Sequence, residues 1–183
     1  RQTGMGIETM YYEVVVHWAA SFVNELNEKY VGDPFVANDD LVTAERAKAL
    51  FKGTLLFNAD SYFTDGQNIT RRQLSEAVWT MSGLALPEGV SPETFSDCNF
   101  DDVAIGSLAA LGIVNGMEDG TFLPDGPVAE GALAVIIYRT LDKMGVLAKG
   151  TTATVHSYEE FEQAMNDDTV GVVIVEGFDL QIE

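Results

Sequence analysis

The chain has 183 residues, 46% of them hydrophobic, with a formal net charge of −19 from 29 acidic and 10 basic side chains. That apolar share can bury the core of one domain, or of a domain and part of another, and argues against disorder. The negative surface repels nucleic acid and anionic membranes, and no apolar run is long enough to span a bilayer.

A single cysteine, Cys98, excludes an internal disulfide and a cysteine-based metal cluster. It suits a cytosolic protein, or a secreted one from an organism that seldom uses disulfides. The start, Arg1–Tyr12, lacks the apolar stretch of a signal peptide. Either the protein is cytosolic or the chain begins after a signal was removed.

The first periodic segment follows His17-Trp18-Ala19-Ala20, with Trp18, Val23 and Leu26 on one helix face. A loop holding Phe35 then leads to Val42-Thr43 and a second helical run, "TAERAKALFKGTLL". In the next loop, ten residues separate Gly53 from Phe63 and seven more reach Thr70. Thr70 with Gln73 forms a capping-box pattern, which fixes the start of "TRRQLSEAVWTMSGL" at a gain of about 1 kcal/mol. The same start places Arg71 and Arg72 in the first turn, where cations oppose the helix dipole at a cost of roughly 0.3–1 kcal/mol. Either the fold uses these arginines or they are idle surface charges.

Further on, Phe100, Ile105 and Leu108 repeat the spacing of Trp18, Val23 and Leu26. Ala109-Ala110 matches Ala19-Ala20 as helix-forming residues, and Leu111-Gly112 supplies a stop. Phe122 lies ten residues after Gly112, and Ala129 seven after that, as in the preceding loop. Asp119 falls opposite Asp60, Val128 opposite Ile69, and Leu133 opposite Leu74. Asp119-Gly120 and Asp125-Gly126-Pro127 are turn formers around Phe122, whose ring is expected to pin the loop onto the core.

A unit therefore recurs: helix, acidic loop with an embedded Phe, Val or Ile plus a capping position, then a second helix. The units run over about 12–53, 43–86 and 95–147. Thr43–Gly53 serves as a helix in two of them, so the count is two or three.

These residues resemble the S-layer homology family. The matching motifs are "HWA" at His17–Ala19, "ITRRQ" at Ile69–Gln73, "FSD" at Phe95–Asp97, "GIVNG" at Gly112–Gly116 and "DGTFLP" at Asp119–Pro124. The resemblance covers roughly residues 10–147. It implies a mainly α fold, a helical bundle of helix–loop–helix pseudo-repeats, here with a short α+β segment at the C-terminal end. It also implies a secreted bacterial module that holds proteins on the cell surface by binding secondary cell-wall polysaccharide, often pyruvylated, without covalent attachment, cofactor or metal.

A pyruvyl ketal presents a fixed carboxylate, which the planar fork of an arginine recognises. The glycan-binding candidates are Arg71, Arg72, Thr70, Gln73, Trp18 and His17. The motif departs from the family pattern elsewhere: Ala44 stands at the arginine position in the first unit, and Ala129-Glu130 replaces Thr-Arg in the third. Glu130 would repel an anion, so at most one strong site is expected, at Arg71, and the Phe122 loop is expected to be scaffold. His17 in the HWA position is expected to be packed or capping.

After a linker at 148–153, residues 154–183 change character. Tyr158, Phe161 and Met165 share a helix face, "VGVVIV" reads as a buried strand, and "FDLQI" alternates as a strand does. This pattern is similar to the N-terminal cap of right-handed β-helix, pectate-lyase-like domains. The strands pair with each other, or the chain is a piece of something longer.

Catalytic signals are weak. The histidines are His17 and His156, no G-x-S-x-G motif appears, and the aspartates near Cys98 raise a thiol's pKa. The oxygen-rich turns Asp33–Asp40 and Asn115–Gly120 lack EF-hand spacing and read as solvated loops. The competing roles are an oligomerisation or structural spacer, and an inactive fragment of an enzyme or adhesin whose chemistry lies beyond Glu183.

Overall fold

The computed structural model describes residues 16–30, 32–56, 61–147, 151–167 and 170–177. Among them are six helices: α1 Ala20–Lys29, α2 Ala44–Lys52, α3 Arg71–Ser82, α4 Val103–Ala110, α5 Glu130–Lys143 and α6 Tyr158–Met165. Two strands, β1 Thr151–Val155 and β2 Val170–Val175, complete a mainly α fold with a short α+β segment. Asp60 and the "FDLQI" stretch lie outside the described residues.

The centre is a closed ring of three extended segments, each leading into a helix. Val42 N–H donates to the Val128 carbonyl (2.9 Å), Val128 N–H to Ile69 (3.2 Å), and Ile69 N–H to Val42 (2.9 Å). The cycle repeats one step further along each chain segment. Ala44 N–H donates to Gln67 (2.8 Å), Arg71 N–H to Gly126 (2.9 Å) and Glu130 N–H to Asp40 (3.0 Å). The first amides of a helix have no partner within it, and here each helix start borrows its acceptors from the loop of another unit. Each of α2, α3 and α5 therefore docks on a loop other than the one that leads into it. Between α2 and α3 no further helix stands among the described residues.

The repeated apolar positions form the core. Val23, Leu26, Ile105 and Leu108 are buried, as are Leu74 and Leu133. So are the three loop phenylalanines, Phe35, Phe63 and Phe122, with Phe122 only 1% exposed. Each such ring contributes about 1.5–3 kcal/mol through burial. Trp18 and Phe100, which open the matching faces, instead stand outside the core at 58% and 90% exposure, because α1 and α4 begin after them.

The helix caps follow the sequence. Thr43 accepts from Arg46 N–H, Thr70 forms the full capping box, and Ala129 offers no side-chain cap. Gly112 ends α4 in the left-handed region at φ 72°, whereas Gly53 at the corresponding spacing remains right-handed at φ −79°.

In the C-terminal segment β1 and β2 pair in parallel, and α6 connects them. Strand β1 begins at Thr151, inside the stretch read as a linker. The helix expected at Tyr158–Met165 is present, and the burial expected of the strand is corrected. The face of α6 bearing Tyr158 and Met165 is exposed, with Met165 at 63%, and residues 173–175 are only half-buried. A two-stranded sheet with one short helix cannot cover both of its faces.

Candidate functional site

The first turn of α3 carries Arg71 into a groove whose other walls are the Phe122 loop and α5. Two backbone carbonyls fix the guanidinium: Nε donates to Phe122 (2.8 Å) and Nη2 to Asn115 (2.9 Å). Its central carbon lies 4.2 Å above the centre of the Phe122 ring, a cation–π contact. Burial pushes its pKa down, opposed by the charge of Asp97. Arginine nevertheless stays protonated at any ordinary pH, so the groove holds a desolvated, rigid cation.

Two adjoining cavities share Arg71, Ala132 and Ile136. One, of about 180 Å³, runs over Ser75, Phe122 and Pro127. The other, of about 160 Å³, reaches Trp18, Asn115 and Arg139. A larger and more open concavity of about 840 Å³ lies along α2. Its Lys48 is paired with Asp65 at 2.7 Å, so that surface offers less unbalanced charge, and the Arg71 groove has the better chemistry for holding an anion.

The Phe122 loop, expected to be scaffold, is a wall of this groove. Because the ring closes one unit onto another, α3 meets the loop of the third unit and not that of its own. Asp97, of the "FSD" motif, holds the loop in place by accepting from Phe122 N–H and Leu123 N–H, both at 2.8 Å. Those backbone bonds, that from Phe122 foremost, pull its pKa below the usual carboxylate value. Leu123 sits at φ 58°, a left-handed conformation costing roughly 1–2 kcal/mol for a residue with a Cβ, and the Asp97 clamp helps to maintain it.

The other candidates fall into different places. Trp18 shares the groove with Arg71. Arg72 pairs with Asp102, whose side chain is 5% exposed, and with Asp125, joining α3 to the start of α4; it lines neither cavity. Thr70 and Gln73 satisfy each other's backbone in the capping box. His17 accepts from Ala19 N–H through Nδ1 and meets Asp39 through Nε2 at 3.3 Å. Its ring presses on Gly131 so closely that a Cβ there would lie 2.7 Å from Cε1, so His17 locks α1 onto α5.

Sequence reasoning missed Arg139, Asp97 as a clamp, and the pair Glu130–Arg46. Ala132, Val135, Ile136 and Arg139 follow helical spacing on α5, a pattern that could have placed Arg139 beside the groove. Glu130 meets Arg46 through Nη2 (2.6 Å) and Nε (3.1 Å), which no short-range motif reveals. Cys98 has its pKa raised by burial and by Asp97, partly offset by Arg72, which keeps it a poor nucleophile.

Neither a curated protein nor a solved structure matches the chain. Residues 104–131, running from α4 through the Phe122 loop into the first turn of α5, match the family model of the S-layer homology domain.

Proposed function

We propose that the chain is a cell-surface anchoring module that binds a bacterial secondary cell-wall polysaccharide non-covalently, outside the cell, and performs no catalysis itself. The observation that carries this reading is the state of Arg71. It is fixed by two carbonyls and a ring, it faces a groove, and among the described residues no carboxylate lies within ion-pair distance of it. Its charge is balanced only by Asp97, which lies beyond ion-pair distance, so an acidic sugar substituent such as a pyruvyl carboxylate would add a direct partner to a partly desolvated cation. Trp18 supplies an exposed ring beside it for a sugar face. The family-model match adds support, because that domain serves generally as an anchor for cell-wall polysaccharide.

The test is co-sedimentation with purified wall sacculi, before and after extraction of the secondary polymer. Binding should depend on the polymer and fall at least about tenfold in Arg71→Ala. Full binding by that variant would remove the proposed site.

A second reading makes the repeats a structural or oligomerisation spacer for a downstream β-helix, of the polysaccharide-lyase or adhesin type. The parallel pairing of β1 and β2 favours it, since parallel strands are what such a domain stacks. A tight dimer in light scattering, without wall binding, would select this reading.

A further inference from the structure

We infer that the groove takes a saccharide bearing two negative charges about one sugar unit apart, the second received by Arg139. The inference rests on the proposed glycan-binding role and extends it to the class of ligand. Of the four described arginines, Arg46 and Arg72 pair with carboxylates. Arg71 and Arg139 have no carboxylate within ion-pair distance among the described residues, and these two line one cavity of about 160 Å³. In a chain with 29 acidic residues, two like charges share a cavity with no acid in its lining and repel each other, Asp97 offsetting the charge of Arg71 only from beyond ion-pair distance. An anionic ligand would reverse that sign for both.

Their partners set an upper bound on their spacing. Arg71 Nη2 donates to the Asn115 carbonyl at 2.9 Å, and Arg139 Nη1 reaches the Ile113 carbonyl at 3.5 Å. Those acceptors are two residues apart, so they lie at most ~7 Å from each other. The Arg71 contact is short and doubled by the bond to Phe122. The Arg139 contact is at the long limit of a hydrogen bond and weak, which leaves that guanidinium able to turn towards a ligand. Arg71 therefore acts as the fixed anchor and Arg139 as the adjustable second contact, with Trp18 bordering the same cavity.

The experiment uses two probes and calorimetry on the whole chain. One probe is a monosaccharide carrying a single pyruvyl ketal. The other is a disaccharide of that sugar with a uronic acid, which adds a second carboxylate one unit away. The parent chain should bind the disaccharide about tenfold more tightly. Arg139→Gln should abolish that preference by weakening the disaccharide far more than the single-charge probe, whose continued binding also shows that the variant is folded. Arg71→Gln should weaken both.

Equal affinity of the parent chain for the two probes, or an equal loss of both in Arg139→Gln, would overturn the inference while leaving wall binding intact. If the parent chain binds neither probe nor sacculi, the anchoring role fails and this inference with it.

Discussion

Two grooves of the same ring have opposite fates. At the start of α3, Arg71 faces Ala132 across an open cavity. At the start of α5, Glu130 occupies the position equivalent to Arg71, and Arg46 occupies the position equivalent to Ala132. Glu130 Oε1 accepts from Val36 N–H (2.8 Å) and from Arg46 Nη2 (2.6 Å), and Arg46 also donates to the Pro34 carbonyl (2.6 Å). In the second groove a carboxylate and its guanidinium both come from within the chain. In the first only the guanidinium does. The difference between the proposed site and a strut is thus a single directly paired counter-charge on a common scaffold.

The largest expected effect comes from giving the first groove the charge of the second. Arg71→Glu should reduce binding to wall polymer by about 100-fold or more, because a carboxylate would face an anionic ligand. Sedimentation with sacculi reads this directly, and undiminished retention would break the comparison at its functional end.

Next comes the strut itself. Glu130→Ala leaves Arg46 without its main partner. Loss of one member of a buried pair costs roughly 3–5 kcal/mol. The Arg46 side chain is 29% exposed and keeps Asp33 at 3.8 Å, so about 2 kcal/mol is expected, or a fall in Tm of ~4–8 °C. The Arg46→Ala and Glu130→Ala changes together should lose less than the sum of the two alone. Strict additivity would mean that the pair does not hold the groove shut.

The scaffold was largely legible in the sequence because it rests on local rules. Periodic apolar positions predict α1, α4 and α5, the capping box at Thr70 predicts the start of α3, and each loop phenylalanine is buried as its turn-rich surroundings suggest. The site was legible only in part. Arg71 and Trp18 carry recognisable motifs and line one cavity. What surrounds them depends on closure of the ring, which sets α3 against a loop about fifty residues away in sequence. For the same reason Arg72 looked equivalent to Arg71 yet points to Asp102, and Asp97 gave no sign of holding Phe122. Periodicity predicts α6 without saying what covers it, and its apolar face stands exposed.

The caps sharpen the comparison on a smaller scale. Removing the hydroxyl in Thr70→Ala should cost about 1 kcal/mol, and installing one in Ala129→Thr should recover a similar amount by giving Ala132 N–H an acceptor. Thermal melts should separate the two variants by ~4–8 °C in total. A stabilised Ala129→Thr would show that the missing cap, like Glu130, is a departure that the ring tolerates and does not require.

The smallest effect concerns pH and the loops that wall the two grooves. Asp97 holds Phe122 and Leu123 with a titrating carboxylate, whereas at Phe35 itself the clamp is the neutral amide of Asn27. That amide accepts from Phe35 N–H (2.8 Å) and donates to the Phe35 carbonyl (2.9 Å), Glu130 taking only the next amide, Val36 N–H. Asp97 has a depressed pKa in the folded chain, so its contribution is fully present above the ordinary aspartate value of about 3.9 and is lost as pH falls through the lower, folded value. On acidification the amide resonances of Phe122 and Leu123 should shift together, with a midpoint below the ordinary value, while those of Phe35 stay in place until the fold as a whole gives way. Asp97→Asn should remove the titration and loosen the loop at neutral pH, because an amide cannot accept two backbone bonds through two oxygens. Were Phe35 to move first, the loop beside Glu130 would be the more acid-sensitive of the two. The assignment of a titrating clamp to Phe122 and a neutral one to Phe35 would then be reversed.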